Sequence, residues 1–269
     1  MKFRVLATLP LLLAVIFAAT SLALGDRMPV AIGTASEVGK VFSLAGAIIA
    51  ALAFERGDYL RKAWLRYGAC YVFLLANDAL ALVNGAGNGL FVARGLVVTV
   101  GNACAVWGTW MLARAWTVAG LEEEGDERRR KRTMFVGAAL LSLAITGWPL
   151  FADVRLLLGG DPIAVVSIAS DLGDILTLAL IAPVMHTALA MRGGLLLWPW
   201  GLLTLSNCAW IAYDASSGAT DHWQLGPGVL LAASESLRVL ANGWVLAAGI
   251  AQRLAVNPGK HSSQPPPPP

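Results

Sequence analysis

The sequence predicts an all-α integral membrane protein with eight transmembrane helices, arranged as two parallel four-helix repeats (4+4) with cytoplasmic N- and C-termini. Three observations lead to this fold class. Hydrophobic residues make up 57% of the chain and charged residues 14%, whereas soluble domains carry about 25% charged residues. Basic residues are concentrated on one side of the apolar segments. A motif from the first half of the chain also recurs in the second half.

Eight apolar stretches approach the roughly 20 residues that a helix needs to cross about 30 Å of hydrocarbon. They run over 5–24, 36–54, 63–84, 89–113, 134–152, 170–190, 195–214 and 228–251. The first stretch follows Lys2 and Arg4, which is also typical of a cleaved signal peptide. Because it is long for a signal peptide and the repeat needs a partner for the fifth segment, we expect a retained helix.

The distribution of basic residues predicts the orientation, because cytoplasmic loops carry most of the Lys and Arg residues of a membrane protein. With a cytoplasmic N-terminus, fifteen of the twenty basic residues flank the segments on that side. The opposite loops carry Arg27 and Arg155, and the other three basic residues lie within segments. We therefore expect a multi-pass protein of the cell (inner) membrane with both termini in the cytoplasm.

The repeat is clearest in the motif at 35–45, which recurs 134 positions later at 169–179 with five identities and five conservative replacements in eleven positions. Lys40 opposite Asp174 is the one unlike pair. Weaker similarity relates 77–84 to 207–214 at an offset of 130, and Asn102 to Asn242 at 140. Four helices return the chain to its starting side, so both halves have the same orientation, as in parallel transporter repeats.

The repeat divides the chain into four parts. We expect a first four-helix repeat at 1–120, a charged cytoplasmic linker at 121–133, a second four-helix repeat at 134–254 and a disordered Pro-rich tail at 255–269. The linker balances five acidic against five basic residues, which is not a nucleic-acid-binding pattern. Its basic block anchors the fifth helix at the cytoplasmic side and favours contact with anionic lipid.

Charged side chains within the predicted helices are the best functional indication, because an Asp, Arg or Lys at a helix centre costs about 2.5–3.5 kcal/mol. These residues are Lys40, Asp78, Arg94, Asp174, Glu235 and Arg238. All six lie in the outer halves of their segments. Together with the outer loops, this half of the protein has an excess of acidic residues, which attracts cations to an outward-facing cavity.

Two of these residues predict a contact between the repeats. Lys40 and Asp174 occupy equivalent positions, so we expect an ion pair between them at the repeat interface. Asp78 lacks an oppositely charged neighbour on its own helix, so it requires Arg94, Arg238, a proton or a bound cation.

Other charges have structural interpretations. Ser36 and Ser170 are interpreted as N-caps, which places Glu37 and Asp171 in first turns where the helix dipole favours acids. Arg94 is expected to reach the outer headgroups.

Glu235 and Arg238, spaced i,i+3, are expected to neutralise each other.

Four asparagines within the segments add neutral polar groups that lipid cannot satisfy. Asn77, Asn102, Asn207 and Asn242 are expected to form interhelical hydrogen bonds, and ligand binding is compatible with that role. Tyr67 and Tyr213 lie near predicted segment ends and are interpreted as interfacial anchors.

Catalytic and cofactor signatures are absent from the sequence. The three cysteines and three histidines form no CxxC motif and no paired-histidine site, so no metal and no cofactor is expected. No phosphate-binding loop, nucleophile elbow or dinucleotide fingerprint occurs, which argues against an enzyme.

Three functions remain open. The first is a small-solute or cation carrier with an outward-facing polar cavity between the repeats. The second is a membrane ligand sensor or scaffold that acts through cytoplasmic or membrane protein partners. The third is an intramembrane enzyme that uses carboxylates. The expected partners are the lipid bilayer and a small cationic ligand, and no nucleic acid. The candidate pathway residues are the six charged residues and four asparagines named above.

Overall fold

The computed structural model describes residues 2–84, 90–118, 125–161, 164–190, 194–223 and 228–256, and every regular element in these ranges is helical. Eight long helices contain 23 to 34 residues each. They are α1 (Lys2–Leu24), α2 (Met28–Ala51), α3 (Tyr59–Asn84), α4 (Phe91–Ala113), α5 (Gly125–Leu158), α6 (Ala164–Ala190), α7 (Leu197–Trp223) and α8 (Val229–Val256). A short helical turn, Ala115–Val118, follows α4.

Six of these helices are long and apolar enough to cross a membrane by length and composition, namely α1, α2, α4, α5, α6 and α8. Helices α3 and α7 are of similar length, with 26 and 27 residues, but neither contains an equally apolar stretch long enough to cross a membrane. The architecture is that of a helical, polytopic membrane protein.

Helices α2 and α6 begin earlier than the sequence predicts. Helix α2 begins at Met28, with Pro29 in its first turn, a position where proline is preorganised for the helix. Ser36 and Ser170 therefore lie inside α2 and α6. The N-cap interpretation of both serines, and with it the first-turn position of Glu37 and Asp171, is wrong.

Helix α5 is also longer than predicted, because it begins at Gly125. Asp126 and Glu127 occupy its first turn, where the helix dipole favours acids, and Glu127 pairs with Lys131 one turn later at 3.5 Å. Residues 125–133 of the predicted linker are thus helical. Residues 121–124 and most of the predicted tail, from 257 onward, lie outside the described residues.

Six helices form a closed ring. Along it, α2 packs on α3, α3 on α4, α4 on α6, α6 on α7, α7 on α8, and α8 back on α2. Helix α1 lies outside the ring and packs mainly against α8, where Trp244 Nε1 donates a hydrogen bond to the Ala7 carbonyl oxygen at 3.1 Å. Helix α5 packs mainly against α6. Because α1 and α5 have non-corresponding neighbours, the 4+4 arrangement stays a prediction.

Candidate ligand site at the centre of the helix ring

A cavity of about 240 Å³ lies at the centre of the ring, and all six ring helices contribute to its lining. Its polar and aromatic lining includes Lys40, Tyr67, Tyr71, Asn102, Asp174, Asn207, Trp210, Tyr213, Asp214 and Arg238. Lys40 and Asp174 lie 12 and 10 residues into their helices, or about 18 and 15 Å at 1.5 Å per residue. This depth is about half the thickness of a bilayer core.

Lys40 lies on the α2 side of the cavity and binds two carboxylates. Its Nζ forms an interhelical ion pair with Asp78 Oδ2 on α3, and a second contact with Glu37 Oε1 at 3.3 Å. The predicted Lys40–Asp174 ion pair is therefore wrong. The physical reason is that α2 and α6 are not neighbours in the ring, whereas α2 packs directly on α3.

A chain of polar contacts continues from Asp78 to α4. Asn77 Nδ2 donates to Asp78 Oδ1 at 3.2 Å, and Arg94 Nε donates to Asn77 Oδ1 at 3.2 Å. Arg94 thus binds α3, in contrast to the predicted extension toward headgroups. The charge that neutralises Asp78 comes from Lys40, not from Arg94, Arg238, a proton or a bound cation as the sequence predicts.

On the opposite side of α2, α8 contributes the second cationic group. Arg238 pairs with Glu235 as predicted, and its guanidinium carbon lies 5.4 Å from the centre of the Tyr213 ring. Asn242 Nδ2 donates to the Arg238 carbonyl oxygen at 2.9 Å, while Ser43 Oγ on α2 donates to Asn242 Oδ1 at 2.6 Å. The side chain of Asn242 thus links α8 to α2.

The four predicted asparagines differ in their bonding. Asn77 and Asn242 form interhelical hydrogen bonds, which confirms the prediction for these two. Asn207 Nδ2 donates to the Leu203 carbonyl oxygen of its own helix at 2.8 Å. Asn102 Nδ2 is buried and has no hydrogen-bond partner among the described residues.

The α6–α7 side of the cavity carries two acidic side chains in contact. The carboxyl groups of Asp174 and Asp214 lie within hydrogen-bonding reach of each other, and both line the cavity. Asp171 lies one turn earlier on α6, and its buried Oδ2 lacks a hydrogen-bond partner within the described part of the chain.

Carboxyl groups outnumber cationic groups around the cavity. The six carboxyl groups belong to Glu37, Asp78, Asp171, Asp174, Asp214 and Glu235, and the three cationic groups to Lys40, Arg94 and Arg238. Two of the three cations already form ion pairs, with Asp78 and Glu235. The acidic side of the cavity therefore faces a surplus of negative charge that protons or a bound cation would balance.

Aromatic side chains complete the lining. Tyr67 and Tyr71 pack edge to face with ring centres 5.9 Å apart, and their hydroxyl oxygens are 3.4 Å apart. Trp210 and Tyr213 pack at 5.7 Å in the same manner. Tyr67 is 3% exposed, and Tyr213 faces Arg238, so the interpretation of Tyr67 and Tyr213 as interfacial anchors is wrong.

The structure brings the ten predicted site residues together. Five line the cavity, namely Lys40, Asn102, Asp174, Asn207 and Arg238. The other five support them or extend the network, namely Asn77, Asp78, Arg94, Glu235 and Asn242.

Sequence reasoning missed Asp214 as a cavity residue. A signal for it exists: at an offset of 136, Trp64 aligns with Trp200, Asp78 with Asp214, and the neighbouring alanines with each other. This offset falls between the 134 of the opening motif and the 140 of Asn102 and Asn242, and it pairs Asp214 with Asp78, whereas the offset of 130 pairs Asp214 with Asn84.

Two glycines, one in each half of the chain, each contact an asparagine of the other half. A Cβ atom at Gly39 on α2 would lie 2.9 Å from Asn242 Nδ2 on α8, and one at Gly173 on α6 would lie 3.0 Å from Asn102 Cβ on α4. Both distances are too short for an alanine without displacement of the asparagine. The contacts join residues that the sequence repeat pairs, since Gly39 aligns with Gly173 and Asn102 with Asn242.

Within the described ranges, no group of three or more His, Cys, Asp or Glu side chains is placed to hold a metal ion. Comparison with protein-family models, with curated proteins and with solved structures finds no match to this chain.

Proposed function

We propose that the protein is a carrier for a small monovalent cation, which binds in the cavity between Asp174 and Asp214 on one side and the aromatic side chains on the other. The observation that carries the proposal is the contact of two carboxyl groups, Asp174 and Asp214, in the wall of a central cavity that is surrounded by more carboxyl than cationic groups. Charged residues inside a membrane are costly and mark ion or substrate pathways. Substrate and ion sites of carriers lie near the bilayer midplane.

The aromatic lining favours an organic cation over a hydrated metal ion. Tyrosine and tryptophan faces attract cations with about 0.5–2 kcal/mol each, and aromatic cages recognise ammonium groups. Tyr67, Tyr71, Trp210 and Tyr213 provide such surfaces around the carboxyl pair. Asn102 Nδ2 adds a hydrogen-bond donor for an oxygen atom on the ligand.

The size of the cavity limits the ligand to a small molecule. At about 240 Å³, it is smaller than the roughly 300–1,000 Å³ of sites for drug-sized ligands. A cation of a few carbon atoms is therefore the class of ligand that we propose.

Internal symmetry supports a carrier, because parallel repeats that rock against each other are a recurrent basis of alternating access. The reciprocal contacts of Gly39 with Asn242 and of Gly173 with Asn102 are those expected of two related halves. Two acidic contacts fit the same relationship. Asp78 binds Lys40 in the first half, and Asp214 contacts Asp174 in the second half. Lys40 aligns with Asp174, and Asp78 aligns with Asp214. In this proposal the two halves of the ring, α2–α4 and α6–α8, move against each other, while α1 and α5 pack around the ring.

Orientation and location belong to the same proposal. The excess of basic residues at the chain termini and at the α2–α3, α4–α5 and α6–α7 connections favours the cytoplasmic side for these parts. The protein would then lie in the cell (inner) membrane with both termini in the cytoplasm.

Uptake by proteoliposomes tests the proposal. We expect purified protein to catalyse saturable uptake of radiolabelled tetramethylammonium, above that of protein-free liposomes. The double variant Asp174→Asn/Asp214→Asn should abolish it, while Asp58→Asn, in the exposed α2–α3 connection, should retain it. Absence of uptake by the folded wild-type protein would contradict a tetramethylammonium carrier.

The sensor alternative makes a different prediction in the same experiment. A ligand sensor binds tetramethylammonium in the cavity but does not move it across the membrane. Saturable binding in detergent without uptake in liposomes would therefore favour the sensor, and copurification with a membrane or cytoplasmic effector would support it.

A further inference from the structure

We propose that Asp174 and Asp214 share one exchangeable proton, and that binding of a cation between them releases this proton. The inference rests on the proposed cation site and specifies its coupling ion. The protein would then exchange a proton for a cation.

The carboxyl groups of Asp174 and Asp214 are in contact with each other. An ionised carboxylate is an acceptor without a donor, so a hydrogen bond between two carboxyl groups requires that one carry a proton. Two like charges in contact are unfavourable together, and carboxyl pairs in enzymes accordingly share one proton. Asp174 and Asp214 are within this reach in the cavity wall.

The cationic groups around the Asp174–Asp214 pair already bind other carboxylates. The two cationic groups that line the cavity, Lys40 and Arg238, form ion pairs with Asp78 and Glu235. Their charges are thus largely compensated by other carboxylates. A shared proton or an entering cation would relieve the repulsion between the Asp174 and Asp214 carboxyl groups.

Other titratable groups lie in the cavity wall or next to it. Tyr67 and Cys70 on α3, Tyr213 on α7, Lys40 on α2 and Arg238 on α8 line the cavity. Behind the wall, Asp171 on α6 lies near Asp174, Asp153 on α5 lies near Asp171, and Cys104 on α4 lies near Cys70. Asp171 and Asp153 add negative charge on the α5–α6 side. Both acids therefore favour occupation of the Asp174–Asp214 pair by positive charge, either as a proton or as a cation.

The exchange conserves charge. Before binding, the pair holds one proton and carries a single negative charge. An incoming monovalent cation takes its place between two carboxylates, while the O–H bond breaks and the proton leaves to water. One positive charge enters for each positive charge that leaves, so the cycle is electroneutral.

Infrared spectroscopy of the purified protein tests the proton without any ligand. We expect the C=O stretching band of a protonated carboxylic acid at neutral pH in the wild type and in Asp58→Asn. In Asp174→Asn and in Asp214→Asn this band should be lost or shifted, since each substitution removes one partner of the shared proton. Absence of the band, or a band unaffected by both substitutions, would overturn the shared proton.

Proton release on binding tests the exchange. Tetramethylammonium is a suitable probe because it carries no ionisable proton, so any proton released comes from the protein. We expect about one proton per bound cation in weakly buffered detergent solution. At pH values where the Asp174–Asp214 pair holds its proton, each increase of one pH unit should lower the Kd for tetramethylammonium about tenfold, because binding is linked to release of one proton. Binding without release would overturn the exchange and leave the cation site intact, whereas absence of binding would overturn the cation site itself.

A pH gradient tests coupling in liposomes. With an acidic interior, outward flow of protons should drive accumulation of tetramethylammonium in wild-type vesicles. The gradient should have no such effect with Asp174→Asn/Asp214→Asn. Uptake by the wild type that is unaffected by the gradient would contradict proton coupling, while leaving cation transport established.

Discussion

The ammonium group of Lys40 on α2 forms an ion pair with the carboxylate of Asp78 on α3. This ion pair neutralises the positive charge of Lys40 in the cavity wall and links the consecutive helices α2 and α3. It also connects the cavity to Asn77 and Arg94, toward the α3–α4 end of the ring. Lys40 therefore joins the polar network on the α2–α3 side of the cavity, while Asp174 and Asp214 line its α6–α7 side.

The Lys40–Asp78 pair should show strong energetic coupling. Lys40→Ala leaves the partly buried Asp78 carboxylate without its cation, and Asp78→Ala leaves Lys40 with only the more exposed carboxylate of Glu37. We expect each substitution to lower the free energy of unfolding by about 1.5–3 kcal/mol. The double variant should lose less than the sum. A double-mutant cycle from unfolding in mixed micelles measures this coupling.

Glu37→Gln is the matched control, because Glu37 binds the same ammonium group but its side chain is 48% exposed. Its effect should stay below about 1 kcal/mol, as for exposed ion pairs. Additive effects of Lys40→Ala and Asp78→Ala, within about 0.5 kcal/mol, would contradict the pair.

The glycine contacts between the halves should not tolerate a methyl group. We expect Gly39→Ala and Gly173→Ala to lower the free energy of unfolding by about 1–3 kcal/mol, the usual cost of overpacking. The reason is the approach of Asn242 and Asn102, at 2.9 and 3.0 Å from the added Cβ atoms.

Gly33→Ala provides the control on α2, because a Cβ atom there meets no atom of the described residues within 4 Å. This substitution should be neutral or stabilising, since alanine is favoured over glycine in helices by about 0.5–1 kcal/mol. Equal thermal stability of Gly39→Ala and Gly33→Ala would argue against the close α2–α8 packing.

The aromatic lining should contribute to cation affinity. Trp210→Leu removes one ring from the cavity, and we expect a loss of about 0.5–2 kcal/mol, or roughly 2- to 30-fold in the Kd for tetramethylammonium. Trp107→Leu removes a 52% exposed ring elsewhere and should leave the Kd unchanged. Equal effects of the two substitutions would exclude a specific contribution of Trp210.

Hydrophobic length predicted the existence of eight helices but not all of their ends. The helix start at Met28 depends on Pro29 and on flanking residues that are apolar enough to continue the helix. The early start of α5 depends on local charges around Glu127. Hydropathy averages over such local effects, so the predicted boundaries of these helices were too narrow.

The candidate site was predictable in its residues but not in its pairing. Intramembrane charge identified Lys40, Asp78 and Asp174 because such side chains need partners in a membrane. The repeat showed which positions correspond, but which helices are adjacent in the ring decides which side chains meet. Lys40 was therefore assigned to Asp174 rather than Asp78, and the acidic partner of Asp174 was missed.

The aromatic residues of the cavity were harder to predict from the sequence. Tyrosine and tryptophan near segment ends are common at membrane interfaces, so Tyr67 and Tyr213 fitted that interpretation. Tyr67 contacts Tyr71 one turn later on the same helix, whereas Tyr213 contacts Arg238 on the neighbouring helix α8. A pattern along one helix does not show which of its faces lies in the cavity wall.

Equilibrium binding of radiolabelled tetramethylammonium to the purified protein tests whether Asp174 and Asp214 form a cation site. We expect saturable binding to the wild type and to Asp58→Asn, and a Kd at least about tenfold higher, a loss of about 1.4 kcal/mol, for Asp174→Asn/Asp214→Asn. Absence of binding to the folded wild type, or equal affinity of the wild type and the double variant, would contradict it.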